Sequence, residues 1–162
     1  MKDDPLGFAC DDLLPGEWWS IDPGDVNVGL TVWSGARCLT SEHLDPDSTI
    51  DRLVTSCQRR QVKLVVYEKF QLFGWKMGEQ QGSEFQTAEM IGAMKHICRR
   101  AYVPMRRYRP VDHKALYKLI EFRPPVRPIR SWASYGHGPH AKDSECLGLY
   151  HIRRQKLKGQ GY

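Results

Sequence analysis

The chain has 162 residues, of which 41% are hydrophobic and 27% charged, and carries a formal net charge of +5 at pH 7. These are ordinary globular values for one domain with a real core. No apolar run is long enough to span a bilayer, and the acidic N-terminus lacks the apolar segment of a signal peptide, so a cytoplasmic protein without a membrane partner is expected.

Residues 1–16 read as a loose N-terminal arm. The stretch 18–33, WWSIDPGDVNVGLTVW, organises the rest of the chain. A strand over 18–22 ends at Asp22, Pro23-Gly24 breaks it, and a return strand covers 26–33. An acid where a strand gives way to glycine is well placed to hold a metal or meet a phosphate. The alternative is that Asp-Pro-Gly is only hairpin punctuation.

Residues 37–43 complete a three-stranded antiparallel meander. DPDS at 45–48 offers helix caps, and 49–61 carries apolar residues at helical spacing. The run at 63–70, KLVVYEKF, looks like a buried central strand with Glu68 near its carboxyl end. Open α/β sheets place their sites at adjacent carboxyl-terminal strand ends.

The loop 69–82 mixes Phe70, Phe73 and Trp75 with Lys69 and Lys76. Such aromatics can stack on unpaired bases while lysines hold phosphates. They can equally tuck into the core. A long helix is expected over 84–101, with Gly92 and Ala93 suggesting close packing on the sheet. A strand over 104–108 comes next, carrying Arg106 and Arg107, then a helix over 112–120 capped by Asp112.

Residues 123–139 are rich in Pro, Gly and Arg and read as an extended connection, with Arg127 and Arg130 expected to track phosphates. The last helix, 140–155, sets His140 and Asp143 on one face. A lone His there is more often a cap or surface residue. One domain over 17–155 is expected, with a basic tail at 156–162 and fraying from Arg153 on.

Charge is uneven. The first 51 residues are acidic, while 95–130 and 151–158 are rich in Lys and Arg, so a polyanion partner is indicated and nucleic acid leads. The five cysteines, at 10, 38, 57, 98 and 146, form no C-x-x-C pair. Reduced, mostly buried thiols are expected.

Asp22, Glu68, His140 and Asp143 come from two strands and the last helix. Brought together, three carboxylates and an imidazole repel unless metal or protons intervene. Oxygen-rich sites suit Mg²⁺, and Mn²⁺ also tolerates His. Two such ions can activate water and stabilise the leaving oxygen of a phosphodiester.

This order of elements resembles the ribonuclease H-like superfamily, and within it the RuvC family of Holliday-junction resolvases, as a divergent member for which a viral source is an open alternative. SIDPGDVNVGL resembles the family's opening I-D-P-G-x-x-x-x-G, and VVYEKF resembles the strand with the second catalytic acid. The helix containing MIGAMK resembles the family's long helix. Tyr108, Pro110 and Lys114 resemble a Y-x-P-x-x-x-K stretch, and HAKDSECLGLYH resembles the closing acid-x-x-D helix, in which some members have His first.

The resemblance covers roughly residues 18–155. It implies an α/β ribonuclease H-like fold: a mixed five-stranded sheet, antiparallel meander plus parallel strands, with helices on both faces. It implies Asp22, Glu68, His140 and Asp143 as ligands of two Mg²⁺ or Mn²⁺ ions, and Lys114 as a phosphate-contacting or charge-stabilising catalytic residue. Lys69, Phe70, Phe73, Lys76, Arg106, Arg107, Lys114, Arg127 and Arg130 are the expected DNA contacts. The resemblance also implies a homodimer acting on four-way or other branched DNA, in the host cytoplasm for a viral protein, with 84–101 a candidate interface.

The family's Gly-rich, Lys-bearing stretch before the last helix is replaced here by the Pro/Arg-rich segment. That leaves the choice among junctions, flaps and forks open. A phosphotransfer enzyme of the actin/sugar-kinase type would need a second domain for which there is no room. A catalytically silent nucleic-acid-binding module, or a nuclease for RNA or simple duplex, stays open.

Overall fold

The computed structural model describes residues 16–70, 83–114, 116 and 139–159. Its elements are β1 (Glu17–Asp22), β2 (Val28–Ser34), β3 (Arg37–Leu44), α1 (Pro46–Gln58), β4 (Val62–Glu68), α2 (Ser83–Arg100), β5 (Met105–Tyr108), α3 (Pro110–Lys114) and α4 (Pro139–Gly159). They form a five-stranded sheet in the order β3-β2-β1-β4-β5. The β1–β2 and β2–β3 pairs are antiparallel, and β1–β4 and β4–β5 are parallel. This is the expected mixed sheet of meander plus parallel strands.

Side-chain alternation divides the sheet into two faces. Trp19, Ile21, Leu30, Val32, Val65 and Tyr67 point one way and pack on Leu53 and Cys57 of α1 and on Met90, Ile91, Met94 and Cys98 of α2. Trp18, Trp33, Leu64 and Val66 point the other way, against Leu147 and Ile152 of α4. A bulge in β4, between the pairs Glu17↔Val62 and Trp19↔Val65, lets Val62 and Leu64 serve opposite faces. The same parity puts Asp22 and Glu68 on the α4 face.

Several boundaries differ from those the sequence predicts. β2 begins at Val28, because Val26 is exposed in the turn. α1 begins at Pro46, because Asp45 is its cap: the Ser48 backbone N–H donates to Asp45 Oδ1 at 2.8 Å, and proline is preset for the first helical position. α3 likewise begins at Pro110, with Asp112 inside the helix accepting from the Arg109 backbone N–H at 3.0 Å.

Gly92 makes no close approach to the sheet. It is exposed, and a Cβ there would meet nothing within 4 Å. The apolar side of α2 is spent on the core, and Gln86, Glu89, Lys95 and His96 on its outer side are exposed. α4 runs on to Gly159, past the fraying expected from Arg153. Cys57, Cys98 and Cys146 are buried thiols outside any disulfide, and Cys38 is half-buried. Among the described residues no helix is long and apolar enough to cross a membrane.

Candidate active site

Asp22 ends β1 and Glu68 ends β4. The two strands are parallel neighbours, so both carboxylates leave the sheet at the same edge and on the same face. α4 crosses that face. It comes closest at Gly29, the register partner of Asp22, where a Cβ would lie 1.8 Å from the His140 carbonyl oxygen. Any side chain at position 29 would hold the first turn of α4 off the sheet. Gly148 repeats the device further along, where a Cβ would come within 2.3 Å of the Trp33 ring.

Buried hydroxyls fix the height and register of α4. Ser20 Oγ donates to the Ser144 carbonyl at 2.6 Å and accepts from the Trp33 indole N–H at 2.8 Å. Thr31 Oγ1 and Ser144 Oγ lie 2.7 Å apart, and the Ser41 hydroxyl reaches the Ala141 carbonyl at 3.2 Å. These bonds tie β1, β2 and β3 to the turn of α4 that carries His140 and Asp143. None of them is among the residues singled out from the sequence. Their signal is a small hydroxyl residue inside an otherwise apolar buried strand, Ser20 in WWSID and Thr31 in GLTVW.

Each of the three acids meets a nitrogen. His140 Nδ1 and Asp22 Oδ2 are 2.7 Å apart. Lys114 Nζ is 3.8 Å from Asp143 Oδ2. His113, fully buried, sets Nε2 3.0 Å from Glu68 Oε2, yet off the line of a hydrogen bond, so neither atom has a hydrogen-bond partner among the described residues. His113 is a site residue that the sequence does not mark out. Its signal is its place beside Lys114, on the helix that β5 delivers to the Glu68 end of the sheet. His43 of β3 stands close by, its ring centre 6.0 Å from that of His140.

The acids feel one another. Burial pushes the Asp143 carboxyl up to about 7, and Asp22 and Glu68 add to the rise, while Lys114 and His113 pull it back. Burial also raises Asp22, opposed by its hydrogen bond to His140 and reinforced by Glu68. The bond to Asp22 raises His140 in turn.

Asp22, Glu68, His140 and Asp143 thus lie within electrostatic reach of one another at one end of the sheet. As their side chains stand, no three of the described His, Cys, Asp and Glu residues converge closely enough to bind a metal ion. The donor chemistry nevertheless fits a hard divalent cation: three carboxylates, of which Asp22 and Asp143 are made reluctant to ionise by burial and by neighbouring acids, plus an imidazole.

Of the expected DNA contacts, Lys69, Arg106 and Arg107 are exposed. Lys114 is half-exposed beside Asp143. Phe70 is partly buried against the core on the α1–α2 face. Phe73, Lys76, Arg127 and Arg130 lie outside the described residues, as do residues 1–15.

The same architecture occurs in solved structures. Thermus thermophilus RuvC in complex with a Holliday junction substrate matches with a TM-score of 0.61 at 17% identity, covering 88% of this chain and 96% of that one. The fold is RuvC-like. Fowlpox virus resolvase, solved with its substrate Holliday junction DNA, matches at a TM-score of 0.57 and 14% identity, covering 85% and 97% of the two chains. The yeast mitochondrial Holliday junction resolvase gives 0.55 at 13% identity, covering 90% and 81%. Compared by sequence, the chain matches no protein-family model and no curated protein. The RuvC-like likeness therefore lives in the architecture.

Proposed function

We propose that this protein is a metal-dependent, structure-selective DNA endonuclease that hydrolyses phosphodiester bonds in four-way junctions and other branched DNA. The observation that supports the reading is that Asp22, Glu68 and Asp143, far apart in sequence, lie within electrostatic reach of one another at one end of a RuvC-like sheet. Solved proteins with this fold include resolvases bound to Holliday junctions.

Asp22, Glu68, His140 and Asp143 would hold one or two Mg²⁺ or Mn²⁺ ions. Bound there, the cations would supply Lewis-acid activation of water and stabilisation of the leaving oxygen. The chain's own groups do the rest. The Ser20–Thr31–Ser144 bonds set where Asp143 and His140 stand. Asp22 orients the His140 ring through Nδ1. Lys114 places a positive charge beside Asp143, where it can meet a scissile phosphate and steady its growing charge. Two symmetric sites in a homodimer would give the paired cuts that a four-way junction requires.

The test is cleavage of a synthetic four-way junction, a flap, a linear duplex and an RNA–DNA hybrid, with Mg²⁺, Mn²⁺ or EDTA. Paired cuts on the junction and little on the duplex are expected. Asp22→Asn should stop cutting while binding persists. A second reading draws on the separate acid–nitrogen pairs: a catalytically silent module on the same fold. It would bind the junction and leave it intact with either metal.

A further inference from the structure

The outer edge of the sheet carries a feature that the carboxylate site does not use. A groove of about 480 Å³ opens there, lined by Lys69, Arg106, Arg107, Arg109, Arg154 and Lys158. Asp112 is the one acid in its wall. Six cations against one carboxylate leave an excess of five, as large as the formal charge of the whole chain. Charge this concentrated on a modestly basic protein marks an interaction surface for a polyanion.

The groove is partly preset. Asp112 is engaged by Arg109 through contacts of 3.3 and 3.0 Å, so it neutralises little else. Tyr108 and Tyr150 meet edge to face, with ring centres 5.0 Å apart. The Arg154 guanidinium sits 5.9 Å from the centre of each ring. Tyr108 is fixed in turn, its hydroxyl 2.9 Å from His151 Nδ1. Lys69, Arg106, Arg107 and Lys158 make no ion pair among the described residues. The field reaches the interior: burial first, then Arg106, Lys158 and Arg154, hold His151 down at about 4, so it is neutral.

The groove also connects to the carboxylates. Lys69 follows Glu68 directly, and its backbone N–H donates to the Tyr108 carbonyl at 2.7 Å. On α4, Asp143, Tyr150, Arg154 and Lys158 fall along one stripe. From Asp143 to Lys158 the helix rises roughly 22 Å. A nucleic-acid strand advances about 3.4 Å per step, so a stripe of this length matches about six nucleotides. A small phosphorylated metabolite would need neither that length nor cations spread over β5, α4 and the segment after β4.

We propose that this groove is a phosphodiester-backbone subsite that seats one arm of the nucleic acid leading away from the carboxylates, with Arg154 as its fixed anchor. The identity of the ligand rests on the nuclease reading, but the test is independent of catalysis. Binding of a labelled four-way junction and a labelled duplex to the full chain is measured by anisotropy in EDTA, from about 50 to 200 mM salt. The variants are R154A/K158A and R106A/R107A. The control is R60A/K63A, at the opposite end of the sheet from Glu68.

Each groove variant should lose roughly 10- to 100-fold in affinity, and its slope of log K on log salt should fall by about 2. The control should match the parent. Because R106A/R107A leaves the Arg154–tyrosine packing intact, a folding defect in the other variant does not decide the result. Unchanged slopes in both groove variants, or equal losses in the control, overturn the proposal. So does an equal loss of binding to polyglutamate, which would mark a general acidic-partner surface. A parent chain that binds through the groove but never nicks sinks the nuclease reading alone. Nicking with groove-independent binding sinks the subsite alone.

Discussion

The two faces of the sheet are built on different principles. Toward α1 and α2 the contact is almost wholly apolar, from Trp19 and Ile21 through Val65 to Met94. Toward α4 the apolar set is smaller, and Ser20, Thr31, Ser41, Ser144 and the Trp33 indole make directed bonds across it. Apolar burial is strong but indifferent to position, so it stabilises the fold without fixing a helix to within an ångström. Hydrogen bonds between buried groups carry less net energy and much more geometry. The face that bears Asp22, Glu68, His140 and Asp143 is the one that needs geometry.

The largest separation between the faces is expected from D143N. On the proposed function, cleavage should drop by roughly a thousandfold or more, since Asp143 would be a metal ligand. The metal-free fold should become more stable, because a carboxyl held at about 7 is costly to ionise where it sits. Calorimetry beside a junction-cleavage assay reads both, and a destabilised D143N would contradict the burial of that charge.

Next comes Leu53→Ala on the apolar face, expected to cost about 2–5 kcal/mol in chemical denaturation while leaving the per-molecule cleavage rate near the parent's. The reverse pattern is expected of Gly29→Ala. Its Cβ collides with the His140 backbone. Cleavage should fall roughly 10- to 100-fold with a smaller change in stability, because displacing the turn that carries His140 and Asp143 costs more in positioning than in burial. Ser20→Ala is milder, with about 1–2 kcal/mol lost from unpaired partners at Trp33 and Ser144.

The smallest effect is the pH dependence of the metal-free protein. Asp22, His140 and Asp143 all have folded-state pKa values raised above their ordinary ones. Each holds its proton more tightly folded than unfolded. Their contribution is therefore fully present below the unfolded values and is lost as pH rises through the folded ones, for Asp143 from about 4 to about 7. Melting temperature should fall across that window, and Mn²⁺ should flatten the fall by replacing protons at the carboxylates. An unchanged slope with Mn²⁺ would separate these residues from any metal site.

Much of this is legible in the sequence. Strand-ending acids after apolar runs mark Asp22 and Glu68, and a three-residue spacing on a helix joins His140 to Asp143. These signals are local, and the strands themselves need only periodicity and turn residues, while the mixed sheet follows from the family resemblance. The hidden part depends on contacts between distant segments. Ser20 meets Ser144 across 124 positions, and nothing near either residue announces the other. His113 matters because β5 runs parallel to β4, a pairing with no signature at the histidine itself. Gly92 misleads because it faces away from the sheet, where a Cβ would meet nothing within 4 Å. Arg154 and Lys158 read as part of a fraying tail in the sequence, whereas the tyrosines beneath Arg154 show the helix continuing.

Trp18 and Trp33 stack with ring centres 5.2 Å apart and planes 11° from parallel, directly under Gly148 of α4. Two indoles held this way couple electronically, so the protein carries its own optical gauge. Lifting α4 would expose the Trp18–Trp33 pair and should shift tryptophan emission. The seating of the helix that bears His140 and Asp143 can thus be followed in real time without attaching a dye.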